Sequence, residues 1–388
     1  MPYNLKTELQ TEFLIQTEFK MKANISEIDF EKIVKDIRNF TIIKGQKTKD
    51  NDKMYFIFDS NNIRIQIIRV YNAGYSDNVY QSWDVGYLFP KPEDTNNCIC
   101  FNTCEIINFL KAYAGNDYNN LLNIISDHNK ITIARNNIEN SIEGFISDMP
   151  EIPSEKVKTS FTIDTDMLEA VIGTVSVNES YRYFLRGVHI ITKDNKFICE
   201  SSDAHRASIK ETELEKIEIS GDRNINVIIP GIVIQAILAT SRHNCRIEIT
   251  KNHAICNGII TPLITANYPN LQMIVPNHTE EKLEIQLSEL EKALKALKGK
   301  TNTLNDCIEV TDSVFNAKYT SLPVKSEGYN WSPVHLSRGF LADIVKYLKK
   351  LDRRCSVILD KSSGRGNCIK VTAKGNKNYT GAVCRIVV

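Results

Sequence analysis

The chain has 388 residues, of which 42% are hydrophobic and 24% charged, and its formal net charge is +1. This balance is typical of folded globular proteins, and the length fits two or three domains. The near-zero charge excludes nucleic-acid binding by bulk positive charge, so any such contact requires a localised basic surface. No segment is apolar over the length of a signal peptide or a membrane span, so we expect a cytoplasmic protein without membrane contact.

The first third of the chain predicts a strand, a helix, a hairpin, a second helix and further strands. The spacing of apolar residues sets the bounds of each element. The predicted elements are a strand at 19–23, a helix at 28–40, a hairpin at 55–67, a helix at 105–114 and strands at 130–134 and 141–146.

The middle third predicts the same order of elements. Asp164 or Thr165 can cap its first helix, Asp194-Asn195 forms a hairpin turn, and Pro230 suits the first turn of its second helix. The predicted elements are a strand at 161–163, a helix reaching 175, a hairpin at 188–199, a strand at 227–229, a helix at 232–240 and strands at 245–250 and 254–260.

The last third repeats the order once more. Its predicted elements are a helix at 287–297, a hairpin around Asp312-Ser313, a helix at 338–350 and strands at 356–359, 369–372 and 382–388. Three matches of order and spacing predict three tandem copies of one α+β unit. We expect the domains to span residues 1–155, 156–280 and 281–388. Unrelated α+β domains with similar layouts are the alternative.

The middle copy carries the most specific motifs. The segment Tyr181–Ile209 reads YRYFLRGVHIITKDNKFICESSDAHRASI. It resembles the central domain of the bacterial DNA polymerase sliding clamp, the β subunit of DNA polymerase III. Tyr181–Gly187 corresponds to the RYYLNG-type strand of that family, and Ser202–Ala207 to its T-D-G-H-R-L turn. Asn226–Leu238 is similar to the V-I-V-P helix start, and Ala266–Pro269 to the G-x-F-P exit.

The resemblance implies three copies of the DNA-clamp fold in a head-to-tail homodimer, with helices lining the inside of a ring and sheets outside. It implies a sequence-independent hold on duplex DNA and a non-catalytic role as a processivity factor without a cofactor. The implied partners are a DNA polymerase, which the clamp tethers to its template, and a clamp-loader ATPase that opens the ring.

The resemblance also implies a peptide-binding pocket between the second and third domains. By position it would include Leu185, Ser202, Ala204, His205, Arg206, Ala207, Pro269, Ile274, Val383, Cys384 and Ile386. Ala204 stands where the family has glycine, and Ala207 where it has leucine. The chain ends in Cys-Arg-Ile-Val-Val, where the family favours Met-Pro-x-Arg-Leu. We therefore expect a pocket of altered shape.

A sliding protein needs many weak phosphate contacts and no base-specific ones. Basic residues recur on the predicted helices, with several spaced to share one helix face. The candidate DNA-facing residues are Lys32, Lys35, Arg38, Lys111, Arg242, Lys292, Lys295, Lys298, Lys346, Lys349 and Lys350. Rows of basic residues on helices are commonly just exposed to solvent. Here the repeat implies that these helices face the central hole of the ring, and we therefore expect their basic residues to contact DNA.

Enzymatic alternatives have weaker support. Ser201, Ser202, Asp203 and His205 are too close in sequence to converge as a catalytic triad, and they predict a hydrogen-bonded turn. Gly299-Lys300-Thr301 lacks the upstream glycine of a phosphate-binding loop.

The ten cysteines show no CxxC spacing, so they predict packed thiols in a reducing compartment and no metal site. Two other hypotheses remain open. One is a clamp-like DNA-binding or scaffold protein that does not encircle DNA, and the other is an enzyme of nucleic-acid metabolism.

Overall fold

The structure is a computed structural model with two compact units. The first comprises Met1–Ser154 with Gly258–Ile260, and the second comprises Glu155–Asn257 with Thr261–Val388. The predicted helix at 28–40 lies outside the described residues. The structure describes residues 20–26, 53–59, 64–72, 78–88, 97–111, 121–127, 129–135, 138–148, 150–176, 179, 181–241, 243–275, 280–298, 306–317, 320–329, 331–361, 368–376 and 378–386.

The first unit contains one antiparallel sheet and one described helix. Hydrogen bonding orders nine of its strands as β9-β5-β2-β3-β4-β1-β6-β7-β8. The elements are β1 (Lys20–Ser26), β2 (Lys53–Asp59), β3 (Arg64–Asn72), β4 (Asn78–Leu88), β5 (Asn97–Asn102), α1 (Thr103–Lys111), β6 (Leu121–Asp127), β7 (Lys130–Arg135), β8 (Ile138–Glu143) and β9 (Phe145–Ile146).

The core of this unit forms where β2, β5 and α1 meet. Met54 and Phe56 alternate along β2, and Phe101 of β5 meets Phe56 edge to face with ring centroids 5.5 Å apart. Ile106 of α1 is fully buried. Period-two alternation on the strand and an apolar helix face therefore build this core, as the sequence pattern predicts.

The first half of the second unit contains two groups of antiparallel strands and two helices. Its first elements are β10 (Thr159–Asp164), α2 (Thr165–Ile172), β11 (Gly187–Lys193), β12 (Lys196–Ser202), β13 (Arg206–Glu213), β14 (Glu218–Gly221), β15 (Asn226–Pro230), α3 (Gly231–Thr240), β16 (Asn244–Ile249), β17 (His253–Cys256) and β18 (Ile259–Pro262), of which Ile259 and Ile260 belong to the first unit. Short 3-10 helices lie at Tyr183–Arg186, Leu214–Lys216 and Leu271–Met273.

The remaining elements of this unit are again strands and two helices. They are β19 (Glu281–Gln286), α4 (Leu287–Ala296), β20 (Cys307–Val310), β21 (Val314–Ala317), β22 (Thr320–Pro323), β23 (Ser326–Tyr329), β24 (Val334–Ser337), α5 (Arg338–Leu351), β25 (Ser356–Lys361), β26 (Cys368–Ala373) and β27 (Tyr379–Cys384). One nine-stranded sheet, ordered β15-β11-β12-β13-β27-β26-β25-β19-β23, joins elements from both halves of the unit.

Local sequence explains the clearest of these boundaries. Asp164 caps α2 by accepting a hydrogen bond from the backbone N–H of Asp166, as predicted. Asp194 and Asn195 both have positive φ, so they form the tight turn that the β11–β12 hairpin requires. Ser337 caps α5 through Phe340 N–H.

Several predicted boundaries are wrong, and three of them lie in the middle copy. The predicted strand at 254–260 is two strands, because Asn257 and Gly258 both adopt positive φ and turn the chain. The first helix of the middle copy ends at Ile172 and does not reach 175. Pro230 ends β15 and stands before α3, not within its first turn.

The predicted α+β class is confirmed, and every described strand pairing is antiparallel. The three-domain division remains a prediction, because the compact units separate only near residue 155. Within the described ranges, no helix has the length and apolar character that crossing a membrane requires.

Candidate functional site

The candidate site forms where β13 pairs with β27, a junction between segments about 170 residues apart. Arg206 pairs with Val383 and Ala207 with Ala382, and Cys384 N–H donates to the carbonyl of His205 at 2.8 Å. We call this strand pairing the junction. It brings the predicted residues of the 202–207 turn and of the C-terminal strand together.

The turn before β13 is held by its own side chains. One carboxylate oxygen of Asp203 accepts the backbone N–H groups of His205 and Arg206, each at 3.0 Å. The hydroxyl of Ser202 accepts Ala204 N–H and donates to Arg206 C=O. The predicted hydrogen-bonded turn is confirmed. Ser201 is fully buried and bonds to Thr174, so it does not face the turn.

Ala204 adopts the left-handed conformation, with φ of +73°. Its backbone N–H is held by Ser202 Oγ, and its carbonyl accepts from the Cys384 thiol at 3.8 Å. Glycine tolerates this conformation, whereas a β-carbon makes it unfavourable by about 1–2 kcal/mol. The alanine at this position therefore places strain in the turn.

Helix α5 holds the side chains of Arg206 and His205 in place. The Arg206 guanidinium lies 4.7 Å from the centroid of the Phe340 ring, and it bridges the carboxylates of Asp203 and Asp343. The His205 ring stacks on Phe340, with centroids 5.9 Å apart and planes inclined by 20°. Sequence reasoning missed Phe340 and Asp343, because nothing local to residues 338–350 places them beside residue 205.

An apolar cluster lies on the other face of the junction. It contains the buried residues Ile198, Ala207, Ile209, Leu271, Val275, Cys368 and Ala382, with Ile191, Tyr268 and Cys384 packed against it. We call this set the floor cluster. Because side chains alternate along a strand, Ala207 and Cys384 lie on this face, whereas Arg206 and Val383 face α5.

Tyr268 connects the floor cluster to the turn. Its hydroxyl accepts the backbone N–H of Ser202 at 3.0 Å, and its ring stacks on His189 at 4.8 Å. Burial raises the pKa of this phenol, so it stays neutral. Its position inside the Ala266–Pro269 motif was the available sequence signal, although only Pro269 was predicted as a pocket residue.

The other predicted pocket residues lie around this region at different depths. Leu185 is buried in the 3-10 helix Tyr183–Arg186, and Pro269 is half-buried beside Tyr268. Ile274 is 41% exposed and its neighbour Met273 is 82% exposed. Ile386 donates its N–H to the carbonyl of His335, so its backbone lies beside β24 and not beside the turn.

The predicted DNA-facing residues are described only in part. Lys32, Lys35, Arg38 and Arg242 lie outside the described residues, and only the backbone of Lys111 is described. Six lysines remain on α4, at its end and on α5: Lys292, Lys295, Lys298, Lys346, Lys349 and Lys350.

Three of these six lysines form ion pairs. Lys295 and Lys349 share Glu291 at 2.8 and 2.7 Å, and together they hold the pKa of that carboxyl below its usual value. Lys350 pairs with Glu169 at 2.6 Å. In the described part of the chain, Lys292, Lys298 and Lys346 have no ion-pair partner. Exposed ion pairs are weak, so phosphate can compete for the paired lysines as well.

The helices of the middle segment carry no basic residue. Helix α3 has no charged residue at all, and the Asp166 and Glu169 carboxylates of α2 are paired with Lys210 and Lys350. Among the described helices of the second unit, the predicted basic residues therefore lie on α4, just after it and on α5. Among the described residues, no group of three His, Cys, Asp or Glu side chains is placed to hold a metal ion.

Comparison with solved structures defines the class of fold. DNA polymerase III beta chain from Streptococcus pneumoniae superposes with a TM-score of 0.75 at 14% identity, covering 95% of this chain and 100% of that one. The Thermotoga maritima beta subunit gives 0.74 at 14% identity, with the same coverage. The chain therefore has the DNA-clamp fold, which confirms the predicted architecture at the level of the fold.

Sequence similarity to known proteins is concentrated in the middle of the chain. Residues 162–270 match the central domain of the DNA polymerase III beta subunit. The beta sliding clamp of Bacillus subtilis is 25% identical over 202 residues, and that of Staphylococcus aureus is 26% identical over 156 residues. These alignments cover 47% and 37% of this chain, and 52% and 40% of those proteins. The chain is therefore similar to bacterial β sliding clamps over its central part, and the alignments span about half or less of the length of those relatives.

The strain at Ala204 makes a prediction about stability. Replacing Ala204 by glycine should raise the free energy of unfolding by about 1 kcal/mol, because glycine adopts φ of +73° without steric conflict. Urea denaturation followed by circular dichroism measures the change. In the matched control, Ala236→Gly in α3, the same substitution should lower stability by at least about 1 kcal/mol. An equal decrease in the free energy of unfolding of both variants would show that Ala204 is not strained.

Proposed function

We propose that this protein is a DNA sliding clamp, a non-catalytic processivity factor that tethers a polymerase to duplex DNA. The observation that carries the proposal is the agreement of two independent comparisons. The fold matches β subunits over 95% of the chain, and the central-domain match falls on the segment that contains the 202–207 turn. The junction, which assembles the candidate pocket from that turn and the C-terminal strand, supports it further.

We infer three domains, at 1–155, 156–280 and 281–388, in a head-to-tail homodimer that closes into a ring. A ring holds DNA by topology, so its phosphate contacts can be weak and independent of sequence. The lysines of α4 and α5 would supply such contacts from exposed side chains. Loading would require a separate clamp-loader ATPase, and the working compartment would be the cytoplasm.

We infer that the junction binds short peptide segments of the polymerase and other partners. Its floor cluster offers an apolar surface, and the exposed side chains of Met273 and Ile274 extend that surface outward. Arg206 and His205, held against Phe340, offer charged and polar groups at its margin. An apolar floor with a few fixed polar groups is typical of sites that bind linear peptides.

Encirclement predicts a topological dependence of DNA binding. Protein loaded by a clamp loader onto nicked circular DNA should stay bound through gel filtration, and it should be lost when the circle is cut once. Blocking both ends of the linear product should restore retention. Protein that stays on linear DNA with free ends would show that it does not encircle DNA.

Light scattering on the free protein supplies the control for this experiment. A ring requires about twice the 44.1 kDa mass of one chain. A monomer that binds duplex DNA equally well whether the DNA ends are free or blocked would instead support the alternative of a clamp-like DNA-binding or scaffold protein that does not encircle DNA.

The basic surface makes a second prediction. The double variant Lys292→Gln with Lys346→Gln should bind linear duplex more weakly, because it loses two cations that have no ion-pair partner among the described residues. The slope of log affinity against log salt should become shallower by about 1 for each lysine that contacts phosphate. Lys216→Gln, an exposed lysine on the 3-10 helix Leu214–Lys216, is the control. A slope equal to that of the control would refute DNA contact by these helices.

The pocket makes a third prediction. His205→Ala with Arg206→Ala should weaken binding of a polymerase clamp-binding peptide by about tenfold, measured by fluorescence anisotropy. The dimer mass should not change. Arg223→Ala with His243→Ala replaces the same residue types at exposed positions and should leave affinity unchanged. Equal affinities for the two double variants would rule out the turn as a binding element.

A further inference from the structure

Two cysteines face each other at the end of the junction. Cys384 is the last residue of β27, Cys368 is the first residue of β26, and the two are direct partners in the antiparallel register. Their Sγ atoms are 3.1 Å apart. The sequence predicts packed thiols without pairing, because the 16-residue separation carries no sign of this contact.

Hydrogen bonding shows which kind of cross-strand pair this is. Cys384 N–H donates to His205 on the β13 side, and in an antiparallel strand the N–H and C=O of one residue point the same way. Cys384 therefore directs neither group at Cys368, and the two form a non-hydrogen-bonded pair. Such pairs place Cα atoms about 4.5 Å apart, inside the range of about 4.4–6.8 Å found for disulfides.

Within the pair, Cys384 is the accessible member, because it is half-buried, as Cys307 is, whereas Cys368 is buried. Cys384 is half-buried, whereas Cys199, Cys245 and Cys256 are almost wholly buried. Hydrogen bonding from the Cys368 thiol holds the pKa of Cys384 below its usual value, and burial raises the pKa of Cys199. A soluble oxidant can therefore reach Cys384 more readily than Cys199, and in a more reactive form.

Both cysteines belong to the floor cluster. Cys368 packs with Ala207 and Leu271, and Cys384 also donates to the carbonyl of Ala204 at 3.8 Å. A bond between the sulfurs would shorten their separation from 3.1 Å to about 2.05 Å and remove the thiol donor to the turn. Oxidation would thus alter the floor and the strained turn together.

We propose that Cys368 and Cys384 form a reversible disulfide that weakens peptide binding at the junction. The regulatory part of this proposal rests on the proposed function of the pocket. The oxidant is a low-molecular-weight disulfide. The Cys384 thiolate attacks one of its sulfurs and releases one thiolate. The Cys368 sulfur, after losing its proton, then attacks Sγ of Cys384 and releases the second. Two protein thiols and one disulfide become one protein disulfide and two small thiols.

The first test is chemical and uses the full-length protein. After incubation with glutathione disulfide, acid quench and digestion without reductant, mass spectrometry should find residues 368 and 384 in one cross-linked peptide. Dithiothreitol should reverse the cross-link. Cys384→Ser and Cys368→Ser should each abolish it, and Cys245→Ser should retain it. Absence of the cross-link in the wild-type protein, or a glutathione adduct that persists on Cys384, would overturn the proposal.

The second test measures peptide affinity of the reduced and oxidised protein. Oxidation should weaken binding by about tenfold in the wild-type protein and leave Cys368→Ser unchanged. A cross-link that forms without a change in affinity overturns the regulatory role. A cross-link in a protein whose reduced form binds no clamp-binding peptide supports the dithiol site and overturns the proposed function of the pocket.

Discussion

The pairing of β13 with β27 is the constraint on which the candidate site depends. It continues one sheet across both halves of the second unit, and it places the 202–207 turn against the C-terminal strand. Tyr379, fully buried on β27, packs against Tyr347 of α5 and hydrogen-bonds Ser208 of β13 through its hydroxyl at 3.0 Å. Strand pairing, apolar burial and a satisfied hydrogen bond therefore stabilise the same place, and together they hold the residues of the candidate site in position.

The junction also explains how one sheet presents two different surfaces. Alternation of side chains directs Arg206 and Val383 towards α5, where Phe340 and Asp343 fix the guanidinium. The neighbouring residues enter the floor cluster instead. A partner segment that crosses the margin of the sheet would meet an apolar floor first and fixed charges next. Such a combination favours specificity, because an apolar surface alone discriminates weakly between peptides.

Charge is distributed unevenly over the helices of the second unit. On α2 the acidic side chains are paired with lysines of other elements. On α4 and α5, Lys292 and Lys346 have no ion-pair partner among the described residues, whereas Lys295 and Lys349 share Glu291. A weakly held cation can exchange its carboxylate for a phosphate at little cost, which suits the transient phosphate contacts that the proposed function requires. Strongly bound, fully buried pairs would not permit that exchange.

The sequence by itself determined the α+β class, most of the second unit's elements, the resemblance of the middle segment and the hydrogen-bonded turn at Asp203. These follow from local rules, since periodicity, capping and turn chemistry act over a few residues. The predicted element boundaries were wrong where the conformation of a single dipeptide determines the boundary, as at Asn257-Gly258. Only the tertiary structure placed Phe340 under His205, Tyr268 on Ser202 and Cys368 against Cys384. Those contacts depend on strand register and helix packing between distant segments, which no local pattern encodes.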